Sequence, residues 1–377
     1  MEIVAKTLEG FEQILANEIE DIGGTDIEIF TRAVAFKGDL KLLYKANYCL
    51  RTAIRVLKPI VKFEIRSQES YYKTLLTIPW DNYIDNEMTF AVNATCSSDI
   101  FTHSKYLALK TKDGIVDFFR DKTGKRPNVD VATPDIRFDI LLRKSEVTIS
   151  LDSSDYSLHK RNYKKNAGIA PLSEVLAAGL IIASGWDKTR DFVDPMCGSG
   201  TLAMEATMIA NNIPAQFKRE EFGFKYWKNY EKEIFLKVVE EENAKIIDNP
   251  VLIYASDKSQ NAIQSTKSNI NESAVFENII VKKEDFFLSE GRENSHLILN
   301  PPYDERIKHD DLNAFYGQIG DTFKKKWQNC EAWIFSGNKD ALKSLGLRTS
   351  KKLSFKNGPI DCKFHKYEMY AGTRKNK

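Results

Sequence analysis

The pattern of hydrophobic and polar residues changes near residue 170 of this 377-residue chain. Beyond that point, short apolar runs alternate with amphipathic stretches of helical spacing. The apolar runs predict five strands and a closing hairpin, which lie at Arg190–Asp194, Val251–Ala255, Ile279–Asp285, His296–Leu299, Ala332–Ser336 and within Arg348–Ala371. Strands that alternate with helices predict a mostly parallel α/β sheet with helices on both faces.

The pattern before residue 154 mixes strands and helices without that regular alternation. It predicts a short strand at Glu2–Lys6, a helix at Gly10–Ile22, and a pair of strands near residues 27–36. Later, it predicts an amphipathic helix at Ser104–Arg120, followed by two alternating strands over residues 136–151. We therefore expect an α+β region of one or two small domains before the α/β domain.

Composition and charge narrow the functional class. The formal charge is only +2, so a nucleic-acid partner must be met by a local basic patch. Five scattered cysteines without a CxxC pair argue against a zinc site or a disulfide framework, and we expect no metal and a reducing, cytoplasmic location. The start of the chain does not have the pattern of a signal peptide, and no apolar run is long enough to span a membrane.

Residues 154–170 form a basic segment between the two patterns. It carries histidine, lysine, arginine and tyrosine close together, which suits contacts to RNA phosphates with aromatic stacking. The candidates are His159, Lys160, Arg161, Tyr163, Lys164 and Lys165. A solvated linker accounts for the same composition equally well, so the sequence leaves both interpretations open.

The sequence Asn300-Pro301-Pro302-Tyr303 follows the apolar run His296–Leu299 directly. Two prolines end a strand because neither can donate to a sheet ladder. The motif therefore places an amide, a fixed carbonyl and an aromatic ring at the carboxyl end of a strand, where α/β folds bind ligands. That set suits a planar group bearing an amine, although a simple Pro-Pro turn is the alternative.

A glycine-rich turn and two acids follow other predicted strands. The turn lets the backbone approach a ligand closely, and its leading acid favours a cationic cofactor over a pyrophosphate. It comprises Asp194, Pro195, Met196, Cys197, Gly198, Ser199, Gly200 and Thr201. Asp257 is placed to accept from a ribose diol, and Asp285 with Phe286 to meet an adenine ring. Each acid alone is more often a helix cap or a turn residue than a ligand-binding residue.

These motifs, in this order, resemble class I S-adenosylmethionine-dependent methyltransferases that modify exocyclic amines. Further matches resemble the RlmL-type 23S rRNA guanine-N2 methyltransferases, in which a THUMP RNA-binding domain precedes a Rossmann-like catalytic domain. They are LHKRNYKKNAGIAPLSEVLAAGLI, the aromatic stretch around Phe222–Trp227, NPPYDERI, and the amino-terminal LEGFE and AFKGD. Asn162 and Asp304 stand where that family usually has glycine.

The resemblance implies a ferredoxin-like α+β region at residues 1–42, a THUMP domain at 43–153, a basic linker at 154–170 and one methyltransferase domain at 171–377. It implies S-adenosylmethionine as cofactor, S-adenosylhomocysteine as product and rRNA of the large subunit as partner. Asn300, Pro301, Pro302 and Tyr303 are then the catalytic residues. A DNA adenine-N6 methyltransferase and a non-catalytic RNA-binding assembly factor are the rival functions, and a nicotinamide dehydrogenase is disfavoured because GxGxxG is absent.

Overall fold

The computed structural model describes residues 1–164, 172–302 and 309–370. Its strands are β1 Glu2–Thr7, β2 Thr25–Phe30, β3 Ala33–Lys37, β4 Ala53–Glu64, β5 Thr89–Ser97, β6 Asn128–Val129, β7 Ile136–Arg143, β8 Glu146–Asp152, β9 Phe192–Asp194, β10 Ile253–Asp257, β11 Ile279–Lys283, β12 His296–Leu299, β13 Glu331–Ser336, β14 Lys351–Asn357 and β15 Ile360–Glu368. Its helices are α1 Glu12–Asp21, α2 Leu40–Cys49, α3 Gln68–Leu75, α4 Ser104–Thr123, α5 Glu174–Ser184, α6 Thr201–Ala210, α7 Lys232–Asn243, α8 Gln260–Ile270, α9 His309–Lys326 and α10 Lys339–Lys343.

The chain folds into two compact units, each built from separate stretches of sequence. Unit 1 comprises Met1–Thr7, Ala16–Leu158 and Arg219–Glu241. Unit 2 comprises Leu8–Leu15, His159–Lys218 and Glu242–Lys377. The two units therefore do not correspond to the two halves of the sequence. Leu8–Leu15, near the start of the chain, belongs to unit 2, and Arg219–Glu241, in the second half, belongs to unit 1.

Unit 1 contains an eight-stranded sheet in the order β2-β3-β1-β4-β8-β7-β5-β6. Most neighbouring strands are antiparallel, and β5 pairs in parallel with β6 and β7. On β7, Ile136, Phe138, Ile140 and Leu142 are all buried, as the period of two along a strand requires when one face is covered. The predicted α+β character of this region is confirmed.

Residues 219–241 complete the core of unit 1 with aromatic side chains. Phe222 and Phe224 stack with ring centroids 5.1 Å apart, and Phe224 packs against Tyr44 of α2 at 4.4 Å. The guanidinium of Arg219 lies 3.5 Å from the centre of the Tyr156 ring and donates to the carbonyls of Tyr156 and Glu221. The aromatic side chains of residues 219–241 therefore stabilise unit 1.

Unit 2 contains a seven-stranded sheet in the order β11-β10-β9-β12-β13-β15-β14. All neighbouring pairs from β11 to β13 are parallel, and β15 is antiparallel to both of its neighbours. Successive residues of β12 contribute to two different apolar clusters, Ile298 to one and Leu297 and Leu299 to the other. Helices α5, α6 and α8 pack in the first cluster and α9 and α10 in the second, which confirms a mostly parallel sheet with helices on both faces.

One helix boundary differs from the prediction. Helix α7 ends at Asn243, whereas the sequence pattern predicted helix to about Asp248. The amide of Ile247 donates to the carbonyl of Asn211, so the chain is no longer helical there.

Within the described ranges, no helix combines the length and the apolar character that a membrane span requires.

Candidate active site

A cavity of about 930 Å³ opens in unit 2 where β9, β10 and β12 end. The chain leaves β9 toward β10 and β11 on one side, and then returns to place β12 on the other side of β9. Such a reversal of strand order separates the loops that follow neighbouring strands, and it leaves a crevice at their carboxyl ends. The volume lies near the upper end of the range of about 300–1,000 Å³ for ligand pockets.

The glycine-rich turn after β9 forms one wall of this cavity. The amide of Cys197 donates to the carbonyl of Ser256 on β10 at 2.9 Å, which fixes the turn against the neighbouring strand. Gly198 and Gly200 both have positive φ, of 55° and 83°. A Cβ on Gly200 would meet the Cγ2 of Thr266 at 2.8 Å, so the turn requires glycine there for steric as well as backbone reasons.

Asp194 is the last residue of β9 and is 1% exposed. Its carboxylate accepts from the amide of Met196, while its Oδ1 atom has no hydrogen-bond partner among the described residues. Burial raises the pKa of the Asp194 carboxyl well above its usual range, and the nearby charge of Asp257 raises it further. A buried acceptor in this state favours a ligand that brings a positively charged donor.

The other two acids are held by backbone amides at the ends of β10 and β11. Asp257 accepts from Ser259 at 2.8 Å and from Gly198 at 3.1 Å, one bond to each carboxylate oxygen. Asp285 accepts from the amide of Phe287 at 2.9 Å. Each oxygen keeps a free lone pair after these single bonds, so both carboxylates can still accept from a ligand.

Asn300 follows β12 on the opposite side of β9 from Asp257. Its side-chain Oδ1 is buried and has no hydrogen-bond partner in the described part of the chain. Pro301 is buried and Pro302 is half-buried, and both line the cavity. Asn300 and Asp194 therefore line the same cavity, and each has a buried Oδ1 atom that no described donor contacts.

The cavity brings together nearly all of the residues that the sequence assigned to the cofactor and to the target amine. Those lining it are Asp194, Pro195, Met196, Cys197, Gly198, Ser199, Thr201, Asp257, Asp285, Phe286, Asn300, Pro301 and Pro302. Gly200 shapes the turn behind them, and Tyr303 lies outside the described residues. Phe286 is only 3% exposed and stacks on Trp327 at 6.0 Å, so most of its ring belongs to the core.

Comparison with known proteins agrees with this architecture. The profile of the RMKL-like methyltransferase domain matches residues 161–366, that of the THUMP domain matches 66–152, and that of the RlmL ferredoxin-like domain matches 2–57. A Synechocystis protein, whose name describes it as a candidate RNA methyltransferase, is 35% identical over 97% of this chain and 96% of its own. The chain belongs to the RMKL-like methyltransferase family.

Two solved structures resemble this methyltransferase over almost their whole length. SMU.472, named as a candidate methyltransferase and crystallised with S-adenosylhomocysteine (SAH), is 25% identical, with a TM-score of 0.86 and 99% of both chains covered. A Listeria monocytogenes protein, named as a predicted N6-adenine-specific DNA methylase, is 25% identical, with a TM-score of 0.86 and coverage of 98% and 96%. This member of the family of SAM-dependent RNA methyltransferases thus combines one catalytic domain with THUMP and ferredoxin-like domains.

Sequence analysis missed four groups of cavity residues in this methyltransferase. They are Lys258, Ser259, Asn261, Ala262 and Ser265, which lie just before α8 or within it, Leu172 and Leu202, Phe287 and Phe315, and Asn357, Gly358 and Ile360 of the β14–β15 hairpin. Asn357 pairs with Ile360 across a two-residue turn, and Gly358 has a positive φ of 59°. The pattern predicted the hairpin, but it did not indicate that its turn reaches the cavity.

The predicted RNA contacts are wrong for Arg161 and Tyr163. Both side chains are buried, with 1% and 0% exposure, and both contact Glu205 of α6. The Nε of Arg161 lies 2.8 Å from Glu205 Oε1, and the Tyr163 hydroxyl donates to the same oxygen at 2.5 Å. These two side chains therefore cannot contact a phosphate or stack on a base in this fold.

The other residues of the basic segment differ in their exposure and in their contacts. Lys160 is exposed, whereas His159 is half-buried and burial lowers the pKa of its imidazole. Lys164 is held 3.2 Å from Glu174. RNA contact stays a prediction for these three residues, and Lys165 lies outside the described residues.

Removing the carboxylate of Glu205 is expected to destabilise unit 2 strongly. Glu205→Ala leaves the buried guanidinium of Arg161 without its charge partner, and such a loss lowers the free energy of unfolding by about 3–5 kcal/mol. Urea unfolding followed by circular dichroism measures this change. The control is Glu277→Ala, at an exposed glutamate, for which we expect less than about 0.5 kcal/mol. Equal stability of the two variants would contradict a buried ion pair.

Proposed function

We propose that this chain transfers a methyl group from S-adenosylmethionine to the exocyclic N2 amine of a guanosine in 23S rRNA. The observation that carries the proposal is the unpartnered Oδ1 of Asn300, buried in the same cavity as the unpartnered Oδ1 of Asp194. One acceptor suits the amine that is methylated, and the other suits the ammonium of the cofactor. The THUMP and RlmL ferredoxin-like domains support RNA as the substrate class.

The residues around the cavity fit S-adenosylmethionine, which supplies the methyl group when bound. Asp194 accepts from the cofactor's ammonium group and Asp257 from its ribose hydroxyls. Asp285 accepts from the adenine amine. Phe286 and the half-buried Phe287, which follow Asp285 in the chain, also line the cavity. SAH in the related SMU.472 structure supports this assignment, with SAH as the product.

Asn300 and Pro301 position the target amine. The guanine amine is conjugated with its ring and is therefore a poor nucleophile. Hydrogen bonds from that amine to Asn300 Oδ1 and to the Pro301 carbonyl favour a pyramidal nitrogen whose lone pair is available, and they stabilise the positive charge that develops on it. A strong base is not required, because the methylated amine is acidic and loses its proton to water.

Tyr303 is proposed to stack on the target base, which contributes about 1–3 kcal/mol per base in comparable complexes. A base inside a helix cannot reach a cavity of this kind, so the target must be unpaired or flipped out of its stack. We propose that the ferredoxin-like and THUMP regions, with exposed residues such as Lys160, hold the surrounding RNA.

The competing function is adenine-N6 methylation of DNA, which the name of the Listeria relative favours. Asn300 and Pro301 could accept from an adenine amine in the same way. The discriminating experiment supplies purified protein and labelled S-adenosylmethionine with unmodified 23S rRNA or with duplex DNA, and identifies the modified nucleoside by mass spectrometry. We expect N2-methylguanosine in rRNA. N6-methyladenine in DNA would support the rival, and failure to bind S-adenosylmethionine would favour a non-catalytic assembly factor.

A further inference from the structure

Lys58 is an unusual lysine in unit 1. It lies on β4 and is half-buried, and no carboxylate or hydrogen-bond acceptor contacts its ammonium among the described residues. Burial lowers the pKa of this ammonium, and no charge partner acts in the opposite direction. Lysine is rarely taken out of water without such a partner.

Trp227 presents a second donor at the same place. The Nζ of Lys58 lies 5.7 Å from the centre of the Trp227 ring. Trp227 is 5% exposed, and its indole Nε1 is buried without an acceptor in the described part of the chain. The ammonium of Lys58 and the indole N–H of Trp227 are therefore adjacent donors, and neither has a hydrogen-bond acceptor among the described residues. Buried donors usually have one.

The neighbouring cations of the same sheet are compensated. Lys6 lies 2.7 Å from Asp139, Lys62 lies 2.6 Å from Glu2, and Arg55 pairs with Asp152. Lys58 thus differs from three basic residues on the same or the adjacent strand. A negatively charged ligand that accepts hydrogen bonds without donating any would fit both donors.

We propose that Lys58 and Trp227 bind a backbone phosphate of the RNA substrate. A phosphodiester has acceptor oxygens and a negative charge, so it satisfies the ammonium and the indole N–H together. A neutral nucleobase edge satisfies the indole but leaves the ammonium uncompensated. Both residues lie outside the segment matched by the THUMP profile, which places this contact beyond that domain. The assignment rests on the proposed function, because that function makes RNA the ligand.

The test measures the affinity of the full chain for unmodified 23S rRNA over a series of salt concentrations. Lys58→Met keeps the length of the side chain and removes its charge. We expect binding about tenfold weaker, and a plot of log K against log salt that is shallower by about 0.7–0.9, as for the loss of one phosphate contact. Trp227→Phe keeps a ring and removes the N–H, so affinity should fall severalfold while the slope stays the same.

Lys62→Met is the matched control, because Lys62 is on the same strand and is already paired with Glu2. Its RNA affinity and salt slope should equal those of the wild type. The proposal is overturned if Lys58→Met keeps the wild-type affinity and slope, in which case a lower melting temperature would mark the lysine as a purely structural partner of Trp227.

Measurements on the wild type separate this site from the proposed function. If the wild type methylates rRNA while Lys58→Met binds it normally, only the phosphate site fails. If the wild type modifies no guanosine but binds rRNA, and Lys58→Met binds it with the expected weaker affinity and shallower salt slope, the phosphate site stands and the proposed activity fails.

Discussion

Replacement of Asn300 by alanine is expected to lower kcat for methyl transfer by about 10²–10³-fold, the usual effect of removing one preorganised hydrogen-bonding group from a reacting centre. The Kd for S-adenosylmethionine should stay within about twofold of the wild type, because in our proposal Asn300 contacts the target amine and the three acids hold the cofactor. Stability should not fall, since Asn300 Oδ1 has no hydrogen-bond partner to lose among the described residues. Single-turnover transfer of labelled methyl groups, with calorimetry for the cofactor, measures both quantities.

Asn338→Ala provides the contrasting variant. Asn338 Oδ1 accepts from the amides of Asp340 and Ala341 and so caps α10. Loss of this cap should lower the free energy of unfolding by about 1 kcal/mol and leave methyl transfer intact. Full activity in Asn300→Ala would remove the catalytic assignment, whereas equal losses of activity in both variants would point to a general loss of structure.

The position of Asn300 could be predicted from sequence because the inference from the local sequence pattern to the binding site needs only two steps. An apolar run followed by two prolines fixes the end of a strand, and the carboxyl ends of parallel strands meet at one edge of a sheet. The same reasoning applies to Asp194 and Asp257, which are the last residues of β9 and β10. The structure places all three around one cavity.

The burial of Arg161 could not be inferred from its own neighbourhood. A run of basic residues has the same composition whether it meets solvent, RNA or a buried carboxylate. The available signal was in Glu205, an acid within the otherwise small and apolar α6, which is buried on nearly every side. A charge in such a helix requires a partner, and the partner came from a distant part of the chain.

The membership of residues 219–241 in unit 1 could not be predicted either. Their aromatic side chains indicate burial, but the period of the sequence does not say against which surface they pack. Phe224 packs against Tyr44 on α2, and no local pattern in the sequence links these two residues. The same limit applies to the β14–β15 turn, whose place at the cavity depends on β15 joining the sheet beside β13.

Asp194→Asn is expected to separate stability from cofactor binding. The replacement keeps the shape of the side chain and removes a carboxylate that the fold buries with one oxygen unpartnered among the described residues. We expect the ligand-free protein to gain on the order of 1–2 kcal/mol in its free energy of unfolding near neutral pH. Its affinity for S-adenosylmethionine should fall by about 10- to 100-fold, because a charge-assisted hydrogen bond to the ammonium is lost.

The pH dependence provides a further test of Asp194. Its pKa in the folded protein is raised above that in the unfolded chain, so its destabilising effect is absent at acid pH and develops as the pH rises from the unfolded value through the folded one. The stability gain of Asp194→Asn should therefore shrink toward zero as the pH falls. Wild-type affinity for S-adenosylmethionine should rise with pH over the same window, since binding uses the ionised carboxylate. In the variant, that rise should be absent.

Asp191→Asn is the matched control for this experiment. Asp191 lies immediately before β9, and so at the far end of that strand from Asp194, where its carboxylate accepts from the amide of Leu252. We expect no change in cofactor affinity and no stability gain from this variant. If Asp194→Asn binds S-adenosylmethionine as tightly as the wild type, the carboxylate does not hold the ammonium group. In that case, the unpartnered Oδ1 of Asp194 would need another ligand.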